Sequence, residues 1–94
     1  RLTDPSYLVR RDAAVALGQR RDPAAVPALA RLLTTDHSVR VRAACARIVG
    51  WIGDPAAVPA LITALQDAHP DVRAAAADAL HRLDTPDARA ALRP

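Results

Sequence analysis

Phenylalanine and methionine are absent from this chain of 94 residues, and tryptophan and tyrosine occur once each. A core built on aromatic rings is thereby excluded. Alanine fills 23 positions instead, so helices can approach closely while each contact hides little area. A compact chain of this size hides only about 60–65% of its unfolded surface, and stability has to come from stacking many small faces. Lysine and glutamate are missing too: all 13 basic residues are Arg and all 10 acidic ones Asp, for a net charge of +3, a pattern that looks like coding bias. One cysteine, Cys45, excludes an internal disulfide, and its apolar helical position marks it as a small buried residue rather than a reactive thiol. No apolar run approaches the roughly 18 residues of a membrane span, and no signal-like segment is present. A soluble chain working in the cytoplasm is expected, with no membrane partner. Because the sequence has no Met and begins at Arg1, it is expected to be a piece of something longer.

The chemistry of catalysis is equally sparse. His37, His69 and His81 lack metal-ligand spacing, and no Cys or His pair, nucleophile constellation, glycine-rich phosphate loop or matched carboxylate pair occurs. No cofactor, metal site or catalytic residue is expected.

What the chain does have is a helical period. Val41, Ala44, Cys45, Ile48, Val49 and Ile52 fall at i, i+3, i+4, i+7, i+8 and i+11, one face of an amphipathic helix. Gly50 and Gly53 weaken its end, after which Asp54-Pro55 offers a capping carboxylate and a first-turn proline. A second helix follows, with Val58, Leu61, Ile62 and Leu65 on its apolar face and Pro59 confined to its first turn. Residues 54–58 are expected to be a short turn or 3-10 lead-in.

This helix-turn-helix unit recurs. Residues 22–29, DPAAVPAL, return unchanged at 54–61, a shift of 54 − 22 = 32. Val9-Arg10 returns as Val41-Arg42 with the same shift, 41 − 9 = 32, and then as Val72-Arg73 with a shift of 72 − 41 = 31. A period of this length with two helices per copy signals a helical solenoid, in which each pair needs a neighbour to cover its apolar face. The sequence therefore predicts an all-α fold, an α-solenoid of three repeats at about 4–35, 36–67 and 68–94 within a single domain. The expected helices are 6–19, 26–33, 38–51, 58–66, 70–83 and 86–92, with Asp4 and Asp36 as caps of the first and third. Val41, Cys45, Ile48, Leu61 and Leu65 are expected among the most buried residues.

The stretch VRVRAACARIVGWIGDPAAVPALITAL resembles the short HEAT-like repeat associated with phycobilin lyases, and the resemblance covers nearly the whole chain. Such repeats show V-R-x-A-A-A-x-A-L-G-x-I-G-D-P-x-A-V-P-x-L. The first copy departs at Asp12 and at Arg20-Arg21, the second mainly at Ile48, Val49 and Trp51, the third at His81, Asp84 and Thr85. The resemblance implies an α-solenoid used for binding, and it fixes fold far better than activity.

Repetition also sorts the polar residues. Arg10, Arg42 and Arg73 recur at one site, and with Asp4 and Asp36 they are expected to form a structural ladder between copies, for which the planar guanidinium fork is suited. Residues that break the pattern are freer to act. Trp51 stands where the other copies have Gln19 and Arg82, and an exposed indole can anchor a protein or a base. Arg10, Arg11, Arg20 and Arg21 make the first copy basic, a candidate phosphate-binding patch, although a solvated face explains a small surplus as well. The second helices are expected to line a concave surface with Ala24, Ala28, Arg31, Ala57, Ala60, Thr63 and Ala91, where small side chains leave room for a partner's helix or loop.

Three functions follow. A non-catalytic protein-interaction scaffold in a right-handed solenoid, with another protein as partner, is the first. A nucleic-acid-binding accessory segment of a larger enzyme is the second, because related repeats occur at the C-terminus of RNA-modifying enzymes such as epoxyqueuosine reductase and VRRDAAVALG is similar to them; that enzyme's iron-sulfur cysteines are absent here. A lyase or chromophore chaperone is the third, implied by the resemblance alone. The third copy, with Ala75, Ala76, Ala79 and Leu80 read as its open face, is expected to open first over residues 84–94 and to be covered by a further copy or another chain.

Overall fold

A computed structural model describes residues 5–93. Six α-helices follow one another: α1 (Tyr7–Arg20), α2 (Val26–Thr35), α3 (Val39–Ile52), α4 (Val58–Ala64), α5 (Pro70–Leu83) and α6 (Pro86–Ala91), with no strand among the described residues. Along the chain they form three helix-turn-helix units, α1/α2, α3/α4 and α5/α6; the first helix of each unit packs on the first helix of the next, and α2 and α4 pack on the first helix of the following unit. The DPAAVPAL motif starts the second helix of the first two copies by one device. The carboxylates of Asp22 and Asp54 accept from the Ala24 and Ala56 N–H at 2.9 Å, the prolines begin 3-10 turns at Pro23–Ala25 and Pro55–Ala57, and α2 and α4 start directly behind. The third copy reaches the same result with Thr85, whose hydroxyl accepts from the Ala88 N–H at 3.1 Å.

Helices α1 and α3 each begin one residue later than the sequence suggests, α5 begins where expected, and the caps are different residues. Ser38 caps α3 by accepting from the Val41 N–H, His69 caps α5 by accepting from the Asp71 N–H through Nδ1, and Ser6 holds the matching site of α1. Asp36 therefore does not cap α3; it is the C-cap of α2, its N–H donating to the Leu32 carbonyl, and its carboxylate accepts from the Ser38 N–H at 2.9 Å and shapes the turn. Asp4 lies outside the described residues.

The second copy is shorter than the first by a single residue. The interval from Asp54 to Asp67 (67 − 54 = 13) falls one short of that from Asp22 to Asp36 (36 − 22 = 14). The loss is absorbed at the end of α4. There Leu65 N–H donates to both Leu61 and Ile62 carbonyls, and Gln66 and Asp67 donate to Thr63 and Ala64, three-residue spacings that tighten the last turn. The helix accordingly ends at Ala64 rather than Gln66, and Leu65 is turned half out of the core, against expectation.

Val41, Cys45, Ile48 and Leu61 are fully buried, at 0–1% exposure, and Val26, Leu29, Leu33, Val49, Val72 and Leu80 complete the large core side chains. Close approach of the first helices depends on glycine. A Cβ on Gly18 would meet Ile48 Cγ2 at 2.5 Å, and one on Gly50 would meet Ala79 Cβ at 2.9 Å. Ala75, Ala76, Ala79 and Leu80 are buried at 5% or less, so they form the seam between the second and third copies and do not present an open face. The result is a two-layer slab of 37 × 28 × 15 Å.

Candidate binding surface

Arg10 and Arg42 are each held by a carbonyl just before their own helix and reach onward to the Asp just before the next first helix. Arg10 donates through Nε and Nη2 to the two oxygens of Asp36, at 2.8 and 3.0 Å, and through Nη1 to the Pro5 carbonyl. Arg42 repeats this with Asp67 at 2.8 and 3.2 Å, and its Nη1 donates to the carbonyls of Asp36 and His37. Arg73 keeps the inner contact alone, Nη1 to the Asp67 carbonyl at 2.7 Å. Asp36 and Asp67 are thus nodes, each taking one arginine on its carboxylate and the next on its carbonyl. Burial by itself would raise both carboxyls. Hydrogen bonds from the arginine and from the N–H of Ser38 or His69, with the nearby positive charge, outweigh it and hold both below the ordinary Asp value. Asp67, absent from the ladder the sequence predicts, is as much a member as Asp36; its signal is its place one period on (67 − 36 = 31).

The slab's two broad faces differ. On the second-helix face Ala24, Arg31 and Thr63 are exposed and Ala28, Ala60 and Ala91 half-buried. Ala57 is a correction: it is completely buried, because the 3-10 turn points it inward against the core, and it cannot touch a partner. The first-helix face carries an open groove of about 490 Å³ between α3 and α5, walled by Arg40 and Arg47 on one side and Asp71 and Asp78 on the other, over Ala43, Ala74 and Ala75, with Val39 and, from α1, Arg11 also lining it. At its far end Trp51, 41% exposed, stands beside a smaller hollow with Ala79 and Arg82. Sequence reading singled out Trp51 but not the charged walls. Their signal was a change of residue type at corresponding positions: Leu8, Arg40 and Asp71 in one row, Val15, Arg47 and Asp78 in the next.

Stacked helical hairpins tied by an Arg/Asp ladder are matched by the family model for HEAT repeats over residues 1–67 and 38–94. The chain belongs to the HEAT-repeat family. No curated protein matches it.

The basic patch does not form as one surface on this HEAT-repeat array. Arg10 is committed to Asp36, with its side chain only 14% exposed, and Arg11 lies 3.5 Å from Asp12. Arg20 and Arg21 are exposed at the other end of α1, about 15 Å away by helical rise. Asp12 and Arg20, where the second copy has Ala44 and Ile52, both meet solvent. Burial, with a smaller contribution from the Asp36 charge, pushes the Cys45 thiol up to about 12, so the thiolate that would react is suppressed. His69 is spent on its cap, and His37 and His81 are exposed singly. Among the described residues no group of three His, Cys, Asp or Glu side chains could hold a metal ion, and no helix is long and apolar enough to cross a membrane.

Proposed function

We propose that this HEAT-repeat chain is a non-catalytic scaffold that binds a segment of another protein on its second-helix face. The observation that carries this reading is the slab's 15 Å thinnest extent: two helix layers offer broad open faces and no deep interior, whereas substrate sites are concave and enclosing. Ala24, Ala28, Arg31, Ala60 and Thr63 compose the face, with small side chains that let a partner backbone come close. Within the family, the V-R and G-D-P-x-A-V-P-x-L pattern supports assignment to the short repeat type of the phycobilin lyases; that assignment concerns repeat geometry. The nucleic-acid reading is the weaker one, because Arg10 is engaged within the fold and the remaining arginines are split between the ends of α1.

A photo-crosslinker placed at exposed Thr63 tests this in source extract. The expected result is a discrete protein adduct that disappears with Ala60→Arg, a substitution at a half-open position. Crosslinks to nucleic acid alone, or a protein adduct indifferent to Ala60→Arg, would overturn it.

A further inference from the structure

The outward positions of α3 and α5 correspond one to one under a constant shift, 71 − 40 = 31. Arg40 corresponds to Asp71, Arg47 to Asp78, Trp51 to Arg82, and Ala43 to Ala74. The repeat runs the two helices in the same direction, and the lining follows the correspondence: Arg40 and Arg47 share the groove with Asp71 and Asp78, and Trp51 and Arg82 share the next hollow with Arg47 and Asp78. Every charged or aromatic pair in this set is complementary, Arg with Asp twice and indole with guanidinium once.

These groups are not satisfied inside the chain. Arg47, Asp78 and Arg82 make no hydrogen bond or ion pair among the described residues. Arg40 lines the groove and has no carboxylate partner there; its guanidinium lies over the Tyr7 ring, 5.9 Å from the centroid. Asp71 has only the edge of His69, at 3.8 Å. The first pair of copies shows nothing similar, for there the corresponding residues are Leu8 and Arg40, Val15 and Arg47, Gln19 and Trp51.

We propose that the α3/α5 groove is a self-association surface, on which a second copy of this chain docks groove to groove about a two-fold axis lying along the seam. A half-turn about an axis parallel to the helices keeps each residue's height and exchanges the two walls. Arg40 then faces the partner subunit's Asp71, Arg47 faces the partner subunit's Asp78, and Trp51 faces the partner subunit's Arg82, each contact occurring twice as an isologous interface requires. Rungs two helical turns apart, about 10.5 Å along a helix, fix the register against sliding. The alanine floor lets the faces approach, and the stacking of indole on guanidinium adds a favourable contact. No other axis along the first helices gives this, because α1 offers leucine and valine where charge is needed.

The face is small and its ion pairs lie near the surface, so the dimer is a weak one that forms at high protein concentration and low salt. It leaves the second-helix face free, so its failure would not touch the scaffold reading, and the converse holds.

Sedimentation equilibrium on the intact chain tests the proposal. At low ionic strength and protein concentrations up to about 1 mM, the mass should rise from 10.0 kDa toward twice that value. It should return to monomer near 1 M salt, where screening reaches only about 3 Å. Arg47→Asp and Asp78→Arg, both at exposed positions, should each weaken association about tenfold or more, since symmetry makes each change count twice. Mixing the two variants should restore it, because every rung between unlike chains is then again an Arg/Asp pair, and the double variant Arg47→Asp/Asp78→Arg should restore it for the same reason. Circular dichroism confirms that the variants stay helical. A wild type that remains monomeric, a dimer indifferent to the single changes, or a mixture that fails to regain association would overturn the proposal.

Discussion

Helices α1 and α3 are the same length, 14 residues, begin after a serine and carry the ladder arginine at the same place, yet α3 buries eight residues and α1 only Ala14 and Gly18. The difference comes from neighbours: α3 packs against α1 and α2 on one side and α5 on the other, while α1 packs chiefly on α3. In a solenoid the same helix is core or edge according to its place in the stack. Apolar residues at the edge stay half open, which is why Tyr7, Leu8 and Val9 are exposed.

The sharpest way to break that contrast is to empty the core of each helix in turn. Ile48→Ala, at a side chain 1% exposed, should cost about 2–4 kcal/mol, read from urea denaturation. Leu17→Ala on α1 should cost less than half as much, because that side chain is only partly buried. Equal costs would mean that burial by the neighbouring copy is not what separates the two helices.

The ladder sharpens the comparison next. Arg42 joins two copies through Asp67 and two link carbonyls, whereas Arg73 makes one carbonyl contact. Arg42→Ala should cost about 1.5–3 kcal/mol, since it strands a largely buried carboxylate, and Arg73→Ala well under about 1 kcal/mol by the same reasoning for one exposed contact. The pH dependence has a definite sign. With both Asp carboxyls lowered from 3.8, the ladder's contribution is complete above that pH and is lost as pH falls through the lowered folded-state values. An Arg42→Ala chain should therefore lose less stability than wild type on acidification below pH 3.8, measured as the urea midpoint across that range.

Glycine at the seam gives the third test. Gly50→Ala gains helix propensity but drives a Cβ to 3.0 Å from the Ala79 backbone, which cannot rotate away. A net loss of about 1–2 kcal/mol is expected from overpacking; a gain would show that the seam can open without cost.

Much of this was legible because the sequence repeats. Two helices per copy, the proline-led turns and the buried faces all follow from residue spacing, and the helix ranges lie within two residues of those expected. What was not legible depended on relations between copies. Asp36 looked like the N-cap of the third helix from its position before Ser38, but an Arg one copy away claims its carboxylate. Ala57 shared its residue type with the open alanines around it, and only the 3-10 turn decided that it points inward. Leu65 kept the apolar spacing of α4, yet a one-residue shortening ended the helix before it. The charged groove was hidden because its walls come from copies that differ at the positions a search for repetition discards.

The smallest effect concerns the residue just past each first helix. Arg21, Gly53 and Asp84 occupy one site in the three copies, all with positive φ, at 52, 79 and 50°. In each, the backbone N–H donates back to a carbonyl of the last turn, Gly18, Val49 or Leu80, closing the helix end with a left-handed residue. Only the central copy has the residue that adopts this conformation freely. A side chain there costs about 1–2 kcal/mol, while glycine adds unfolded-state entropy that takes back part of the gain. Arg21→Gly should therefore stabilise the chain by about 0.5–1 kcal/mol, seen as a higher urea midpoint at unchanged slope. Arg21 is the cleaner site of the two, since Asp84 also pairs with Arg89 at 3.2 Å and its removal would lose that contact. A drop in stability on Arg21→Gly would mean that the arginine side chain contributes more at the end of α1 than its backbone conformation costs.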